Sequence, residues 1–140
     1  MQDVKLFLLV YIVFICTSCN RYNDRDFRLN DNKGGYTVEF QSSKNKERDS
    51  LVVKGNVYDQ DSKKPLAATF INFYCEKVQT DATGFYQFKI HLNLDVEYFF
   101  RAISIGYKTV NTEIIPLIKS DTLIIDFYLD KDETPIFHCN

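Results

Sequence analysis

The chain has 140 residues, of which 45% are hydrophobic and 26% charged, and its formal net charge at pH 7 is −2. This length suits one ordinary domain and is too short for two. No run rich in Lys or Arg stands out, so the sequence gives no support to nucleic-acid binding. The 12 Phe and 9 Tyr residues, together with few Gly and Pro, favour β structure.

Residues 1–18, MQDVKLFLLVYIVFICTS, predict a cleaved export signal. A short polar start that contains Lys5 precedes an unbroken apolar run over residues 6–16, which is the length of a signal-peptide core. The run is shorter than the roughly 20 residues of a membrane-spanning helix. The alternative is a buried strand or helix at the N-terminus, which fits poorly with the very polar sequence that follows.

The end of this run resembles a bacterial lipobox. Thr17 and Ser18 are small residues directly before Cys19, although Cys16 stands where the pattern usually has Leu. The resemblance implies that Cys19 receives a diacylglyceryl group and becomes the new N-terminus, so that the implied partner is a lipid bilayer. Two or more acyl chains hold a protein stably on a membrane. We therefore predict an outer-membrane lipoprotein, on the periplasmic face or at the cell surface; ordinary secretion with Cys19 as a plain thiol is the alternative.

Residues 19–50 predict a lipidated polar tether. A composition as polar as that of residues 20–50 buries too little apolar area to offset the entropy of the chain. Weak alternation over residues 36–40, YTVEF, leaves open an extra edge strand. The acidic pair Asp24 and Asp26 resembles the export tags of some surface lipoproteins of the Bacteroidota, and a solvated linker is the alternative explanation.

Residues 51–132 predict one all-β domain, and residues 133–140 a C-terminal tail. Several short runs with period-two alternation, separated by turn signals about every ten residues, are typical of a sandwich or barrel, and no stretch has a helical period. In the turn TDATGFY, Asp81 is expected to cap its own backbone and Gly84 to take a positive φ. Gly106 indicates a bulge or bend.

Four pieces of this domain, in order, resemble the carboxypeptidase regulatory-like domain. They are GNVYD at 55–59, PLAA at 65–68, TDATGFYQF at 80–88 and IGYK at 105–108. The resemblance implies a seven-stranded antiparallel, transthyretin-like (prealbumin-like) β-sandwich. It also implies non-catalytic accessory work beside an envelope or outer-membrane partner, either a protein or a glycan. Ala68 stands where the family often has Gly, which is harmless if this position has a negative φ.

No catalytic, cofactor-binding or metal-binding residue is predicted. The two histidines, His91 and His138, lie in a polar turn and in the tail, without the partners of a hydrolytic triad or metal site. Asp59, Asp61 and Asp81 offer too few oxygens for calcium, and turn capping explains them better. A small transthyretin-like hydrolase remains the alternative function.

Two further features bear on binding and stability. Phe70, Tyr74, Tyr86 and Phe88 are the candidates for an exposed binding face, with packing of the sheets as the alternative. Cys75 and Cys139 are a candidate disulfide, because an exported protein meets an oxidising compartment. The alternative places Cys75 in the core, as a small inward-facing residue at the end of a strand.

Overall fold

The computed structural model describes residues 27–29, 34–42, 50–92, 97–116 and 121–134. These residues form nine strands and no helix, which confirms the all-β prediction. Accordingly, the described part of the chain contains no helix capable of crossing a bilayer. The strands are β1 Phe27–Leu29, β2 Gly34–Gln41, β3 Ser50–Asp59, β4 Phe70–Phe73, β5 Glu76–Gln79, β6 Phe85–His91, β7 Arg101–Ile103, β8 Val110–Asn111 and β9 Thr122–Leu129.

The strands form two sheets, consistent with a β-sandwich. The five-stranded sheet has the order β1-β2-β9-β3-β6 and the four-stranded sheet the order β5-β4-β7-β8. Their pairings are antiparallel except that of β3 with β9, which is parallel. The expectation of a purely antiparallel sandwich is therefore wrong at the centre of the larger sheet. A parallel pair needs a long crossover, and here the chain between β3 and β9 supplies the whole second sheet.

Seven of the nine described strands, β3 to β9, begin at Ser50 or later. The other two come from the segment predicted as a tether. Strand β2 pairs with β9 over its full length, from Gly34↔Leu129 to Gln41↔Thr122, and β1 pairs with β2. The tether interpretation is thus wrong for residues 27–29 and 34–41, and β2 is an interior strand rather than an edge strand.

An aromatic side chain explains why this polar segment joins the sheet. Tyr36 is 1% exposed and packs against Phe127, while its hydroxyl oxygen accepts a hydrogen bond from the Glu113 amide at 2.9 Å. Burying an aromatic ring stabilises by roughly 1.5–3 kcal/mol. Residues 1–26, with the predicted signal and Cys19, lie outside the described residues, so the signal and the lipid anchor stay predictions.

The core lies between the sheets and is built by alternation. In β3 every second side chain points inward, and in β6 Tyr86 and Ile90 are buried while Phe85, Gln87 and Lys89 are exposed. Period-two patterns of this kind place one face of each strand on the core. The largest fully buried side chains are Tyr36, Tyr86, Phe100, Phe127, Leu51, Ile71, Leu123, Ile125, Leu129, Val53, Val57 and Val110.

Three turn residues test the backbone predictions. Gly84 has φ +76° and Gly106, in the turn before β8, has φ +78°, which confirms the predicted positive φ and the predicted bend. Ala68 has φ +56°. The negative φ under which Ala would be harmless at this position is therefore absent, and the left-handed region costs an L-residue roughly 1–2 kcal/mol.

We expect Ala68→Gly to raise the free energy of unfolding. The gain should be about 0.5–1 kcal/mol, because relief of the left-handed conformation exceeds the extra chain entropy of Gly. Urea unfolding of the full chain, followed by the fluorescence of its 9 Tyr residues, measures the change. Ala67→Gly is the matched control, since Ala67 is equally exposed but lies outside the left-handed region, and this variant should lose stability. Equal destabilisation by both glycines would contradict the assignment of strain.

Candidate functional site

The four aromatic residues predicted as a binding face do not share one. Phe70 points outward from β4 and carries the Lys77 ammonium 3.6 Å from its ring centroid, and Tyr74, just after β4, is 56% exposed. Tyr86 is only 1% exposed, and Phe88 packs against the core. The predicted face is therefore wrong for Tyr86 and Phe88, which take part in sheet packing because the inward positions of β6 are the even-numbered ones.

Tyr86 fills a gap in the larger sheet. The parallel pairing of β3 with β9 is interrupted at Gly55 and Asn56. The Tyr86 hydroxyl donates to the Ile125 carbonyl oxygen at 2.7 Å, in the space that the missing Gly55 side chain leaves. Burial raises the pKa of Tyr86 well above its ordinary value of 10.0, and the nearby charge of Asp126 raises it further. This hydroxyl therefore stays protonated and serves as a fixed hydrogen-bond donor.

Cys75 lies in the two-residue turn between β4 and β5 and is exposed. Its interpretation as an inward core residue is wrong, because Tyr74 has φ +50° and the alternation of β4 ends before it. Cys139 and Cys19 lie outside the described residues. The pairing of Cys75 with Cys139 and the lipidation of Cys19 therefore stay predictions.

Neither histidine lies in a described cluster of functional groups. His91 is the exposed last residue of β6, where its backbone pairs with Ser50, and His138 lies outside the described residues. Across residues 27–29, 34–42, 50–92, 97–116 and 121–134, no three His, Cys, Asp or Glu side chains lie close enough to hold a metal ion.

Of the three aspartates predicted as turn caps, Asp59 and Asp81 do cap turns. Asp59 Oδ1 accepts hydrogen bonds from the amides of Asp61 and Ser62, at 3.0 and 2.7 Å. Asp81 Oδ1 accepts from the amides of Thr83 and Phe85, at 2.8 and 3.0 Å. Both carboxylates are thus used by the backbone of tight turns, which is the alternative that the sequence favoured over a cation site.

Asp59 also ties the two sheets together at one end of the sandwich. Its Oδ2 accepts a hydrogen bond from the Tyr107 hydroxyl at 2.9 Å and lies 3.9 Å from the Lys131 ammonium. The pKa of Asp59 falls from its ordinary value of 3.8 to about 2, chiefly through the amide of Ser62 and then through Tyr107 and Lys131. The carboxylate is ionised at neutral pH and acts as a structural anchor.

A concave surface lies on the opposite side of the larger sheet from the core. We call it the outer groove; its volume is about 680 Å³, within the range of roughly 300–1,000 Å³ that ligand sites occupy. It spans four neighbouring strands, because outward positions of β1, β2, β9 and β3 stand side by side in the register. Its lining residues are Phe27, Thr37, Tyr58, Gln60, Lys63, Asp126 and Tyr128.

Three aromatic rings form the apolar part of the outer groove. Tyr58 and Tyr128 are paired residues of β3 and β9, and their rings stack with centroids 5.5 Å apart. The rings of Phe27 and Tyr128 make a T-shaped contact with their centroids 5.4 Å apart. Phe27 reaches across β2 because residue 35 is Gly; a Cβ atom there would lie 2.5 Å from Phe27 Cζ. Because Gly35 has no side chain, Phe27 on the edge strand β1 can contact Tyr128 on the central strand β9.

The polar part of the outer groove offers donors and acceptors with little net charge. Asp126 is 5% exposed and its Oδ1 accepts the Asn56 amide at 2.8 Å, in the interruption of the β3–β9 pairing. The Lys63 ammonium lies 5.2 Å from the centroid of Tyr128. The Oε1 atom of Gln60 is buried and has no hydrogen-bond partner among the described residues. Such a site is suited to recognising a ligand that is partly apolar and carries hydrogen-bonding groups.

Sequence reasoning did not find the outer groove. One signal was present, because Tyr58 and Tyr128 each alternate with inward apolar residues and so belong to outward faces. Their side-by-side position depends on the parallel pairing of strands about 70 residues apart, which alternation does not predict. Phe27 lay in the predicted tether.

Comparison with known proteins gives little further information. A scan against protein-family models and a search of curated proteins found no match to the chain. Among solved structures, the chain is similar to the crystal structure of 3-chlorocatechol 1,2-dioxygenase from Rhodococcus opacus 1CP, with a TM-score of 0.46 and 12% sequence identity. The similar region covers 66% of this chain and 64% of the dioxygenase chain.

The lowered pKa of Asp59 predicts a specific dependence of stability on pH. Because the folded-state pKa of about 2 is below the ordinary 3.8, the ionised carboxylate stabilises the fold above pH 4, and this contribution is lost as the pH falls towards 2. Asp59→Asn should therefore have a lower free energy of unfolding at pH 7 and a smaller further loss between pH 4 and pH 2. Urea unfolding at several pH values measures both quantities.

The matched control is Asp61→Asn, two residues along the same turn, where the side chain is exposed. This variant should keep the pH profile of the unchanged protein. If Asp59→Asn and the unchanged protein lose stability in parallel below pH 4, the role given to Asp59 is wrong.

Proposed function

We propose that this protein is a membrane-anchored lipoprotein whose β-sandwich is a non-catalytic binding module, an accessory to a partner in the cell envelope. The observation that carries the proposal is the outer groove, where three aromatic rings and four polar side chains meet on the outer face of the larger sheet. Aromatic faces supply contact area at low entropic cost, and fixed polar groups supply specificity. The partner is an envelope protein or a glycan, and the groove is its contact surface.

We further propose that the sandwich is of the transthyretin-like, carboxypeptidase regulatory-like kind. In support, residues from the four resembling pieces contact one another. Asp59 bonds Tyr107, the Thr80 hydroxyl donates to the Leu66 carbonyl at 2.8 Å, and the Val57 amide donates to the Gly84 carbonyl at 2.9 Å. These contacts all stabilise the fold. The resemblance therefore supports the kind of fold, and the proposed binding role depends on the groove.

The proposed anchor brings the groove close to the bilayer. Only seven residues lie between Cys19 and Phe27, which is both the start of β1 and a wall of the groove. The eight Cα-to-Cα steps from residue 19 to residue 27 span at most about 29 Å. With Cys19 acylated, the groove therefore operates beside the outer membrane, on its periplasmic face or at the cell surface. The alternative, a small transthyretin-like hydrolase, gains no specific support from the groove, whose lining residues include neither His nor Cys.

Metabolic labelling tests the anchor. Labelled palmitate should enter the native chain and fail to enter Cys19→Ala, because the proposed acylation uses that thiol. Cys75→Ala is the control, since Cys75 is also an exposed cysteine and its removal should leave the label unchanged. Equal labelling of the native chain and Cys19→Ala would defeat the assignment.

Site-specific photocrosslinking tests the binding surface. A photoreactive phenylalanine analogue is placed at Lys63 on the rim of the groove, or at Lys77, an exposed lysine on the four-stranded sheet. In intact envelopes we expect adducts of a defined mass from position 63 and none from position 77. Equal adducts from both positions, or none from position 63, would contradict a partner in the groove.

A further inference from the structure

We infer that the ligand of the outer groove is a neutral saccharide, an inference that rests on the binding role proposed above. Three properties of the groove lead to this class of ligand. They are the arrangement of its aromatic rings, the kind of polar groups beside them, and the balance of its charges.

The rings suit the apolar side of a sugar. A pyranose presents C–H groups on its faces and hydroxyl groups around its edge, so it binds where an aromatic surface adjoins hydrogen-bonding side chains. Phe27 is 43% exposed and forms one wall, while the stacked pair Tyr58 and Tyr128 lies beyond it. The volume of about 680 Å³ and the open shape suit a chain of several sugar rings.

The polar groups suit hydroxyl groups, which donate and accept. The Asp126 carboxylate and the Thr37 hydroxyl lie opposite each other on β9 and β2, and the Lys63 ammonium can only donate. Gln60 gives the most specific indication, because its Oε1 is buried without a described donor. A buried unpaired acceptor costs roughly 1–3 kcal/mol. A turn of the Gln60 side chain that brings Oε1 to a ligand hydroxyl in the groove would recover this cost.

The charges favour a neutral ligand. Among the described residues that line the groove, Lys63 is the one cation and Asp126 the one carboxylate, so their charges cancel. Phosphate headgroups, nucleic acids and acidic glycans are bound by clusters of Arg and Lys, and the lining residues that the structure describes include no such cluster. A ligand rich in hydroxyl groups and without charge therefore fits the site best.

Calorimetric titration of the purified full chain with neutral hexasaccharides tests the inference. The panel is maltohexaose, cellohexaose, laminarihexaose, mannohexaose and xylohexaose, and hexagalacturonic acid is the anionic comparison. We expect at least one neutral member to bind and hexagalacturonic acid to bind more weakly. No binding across the neutral panel, or tighter binding of the acid, would overturn the inference. If no neutral saccharide binds but the photoreactive residue at position 63 still forms adducts, the saccharide inference fails and the binding role stands. The failure of the inference is thus distinguishable from the failure of the proposed function.

A pair of matched variants locates the binding. Phe27→Ala removes a wall of the groove, and Phe99→Ala removes an equally exposed Phe (42%) elsewhere on the surface. For the neutral member that binds, Phe27→Ala should weaken affinity about tenfold, which corresponds to about 1.4 kcal/mol. Phe99→Ala should bind like the unchanged protein. Equal affinity of the two variants would overturn the placement in the groove.

Gln60→Met separates a binding role from a structural one. Methionine keeps the length of the side chain and removes the buried unpaired acceptor, so the thermal midpoint should stay the same or rise. Saccharide affinity should nevertheless fall about tenfold, because the acceptor for a ligand hydroxyl is lost. Unchanged affinity would overturn the role of Gln60, and this variant keeps the test decisive if Phe27→Ala folds poorly.

Discussion

The close approach of the Ile125 carbonyl to Gly55 is the constraint on which the larger sheet depends. A Cβ atom at position 55 would lie 1.8 Å from that oxygen, so no larger residue fits without moving one of the two central strands. The parallel pairing is interrupted here, and side chains replace the missing backbone contacts. Tyr86 satisfies the Ile125 carbonyl from the core side, and Asp126 satisfies the Asn56 amide from the groove side.

This arrangement links the core to the candidate site. Asp126 is held in place by the same irregularity that positions Tyr86, and Tyr128 follows two residues later on the same outward face. Ligand binding by polar side chains that are already fixed has a lower entropic cost, because their side-chain entropy is lost on folding. A substitution of Tyr86 in the core is therefore expected to alter ligand binding in the groove through the two central strands β3 and β9, although Tyr86 does not line the groove.

Alternation predicted much of the fold and little of the site. Several strands from residue 50 onward, such as β3 and β6, have clear period-two patterns in the sequence, and the structure confirms the all-β class. On β6 the pattern even contained the correct orientation, since Gln87 and Lys89 share the face opposite to Tyr86 and Phe88. For β2 the sequence left open only an edge strand over residues 36–40, because its interior position depends on pairing with β9 and on the contact of Tyr36 with Phe127, a residue far along the chain. The outer groove depends on the pairings of β9 with β2 and with β3, which also join residues far apart along the chain.

Strand β1 connects the proposed anchor to the proposed site. It has only three residues, all exposed, and is held by pairing with β2, by the contact of Phe27 with Tyr128, and by an exposed ion pair of Arg28 with Glu113 at 3.4 Å. Exposed ion pairs add at most about 1 kcal/mol, so the aromatic contact is an important part of this attachment. A ligand that bridges Phe27 and Tyr58 would bind only when β1 is in place. By linkage, ligand binding would then stabilise the attachment of β1, and any pull on β1 from the membrane side would weaken ligand binding in the same proportion.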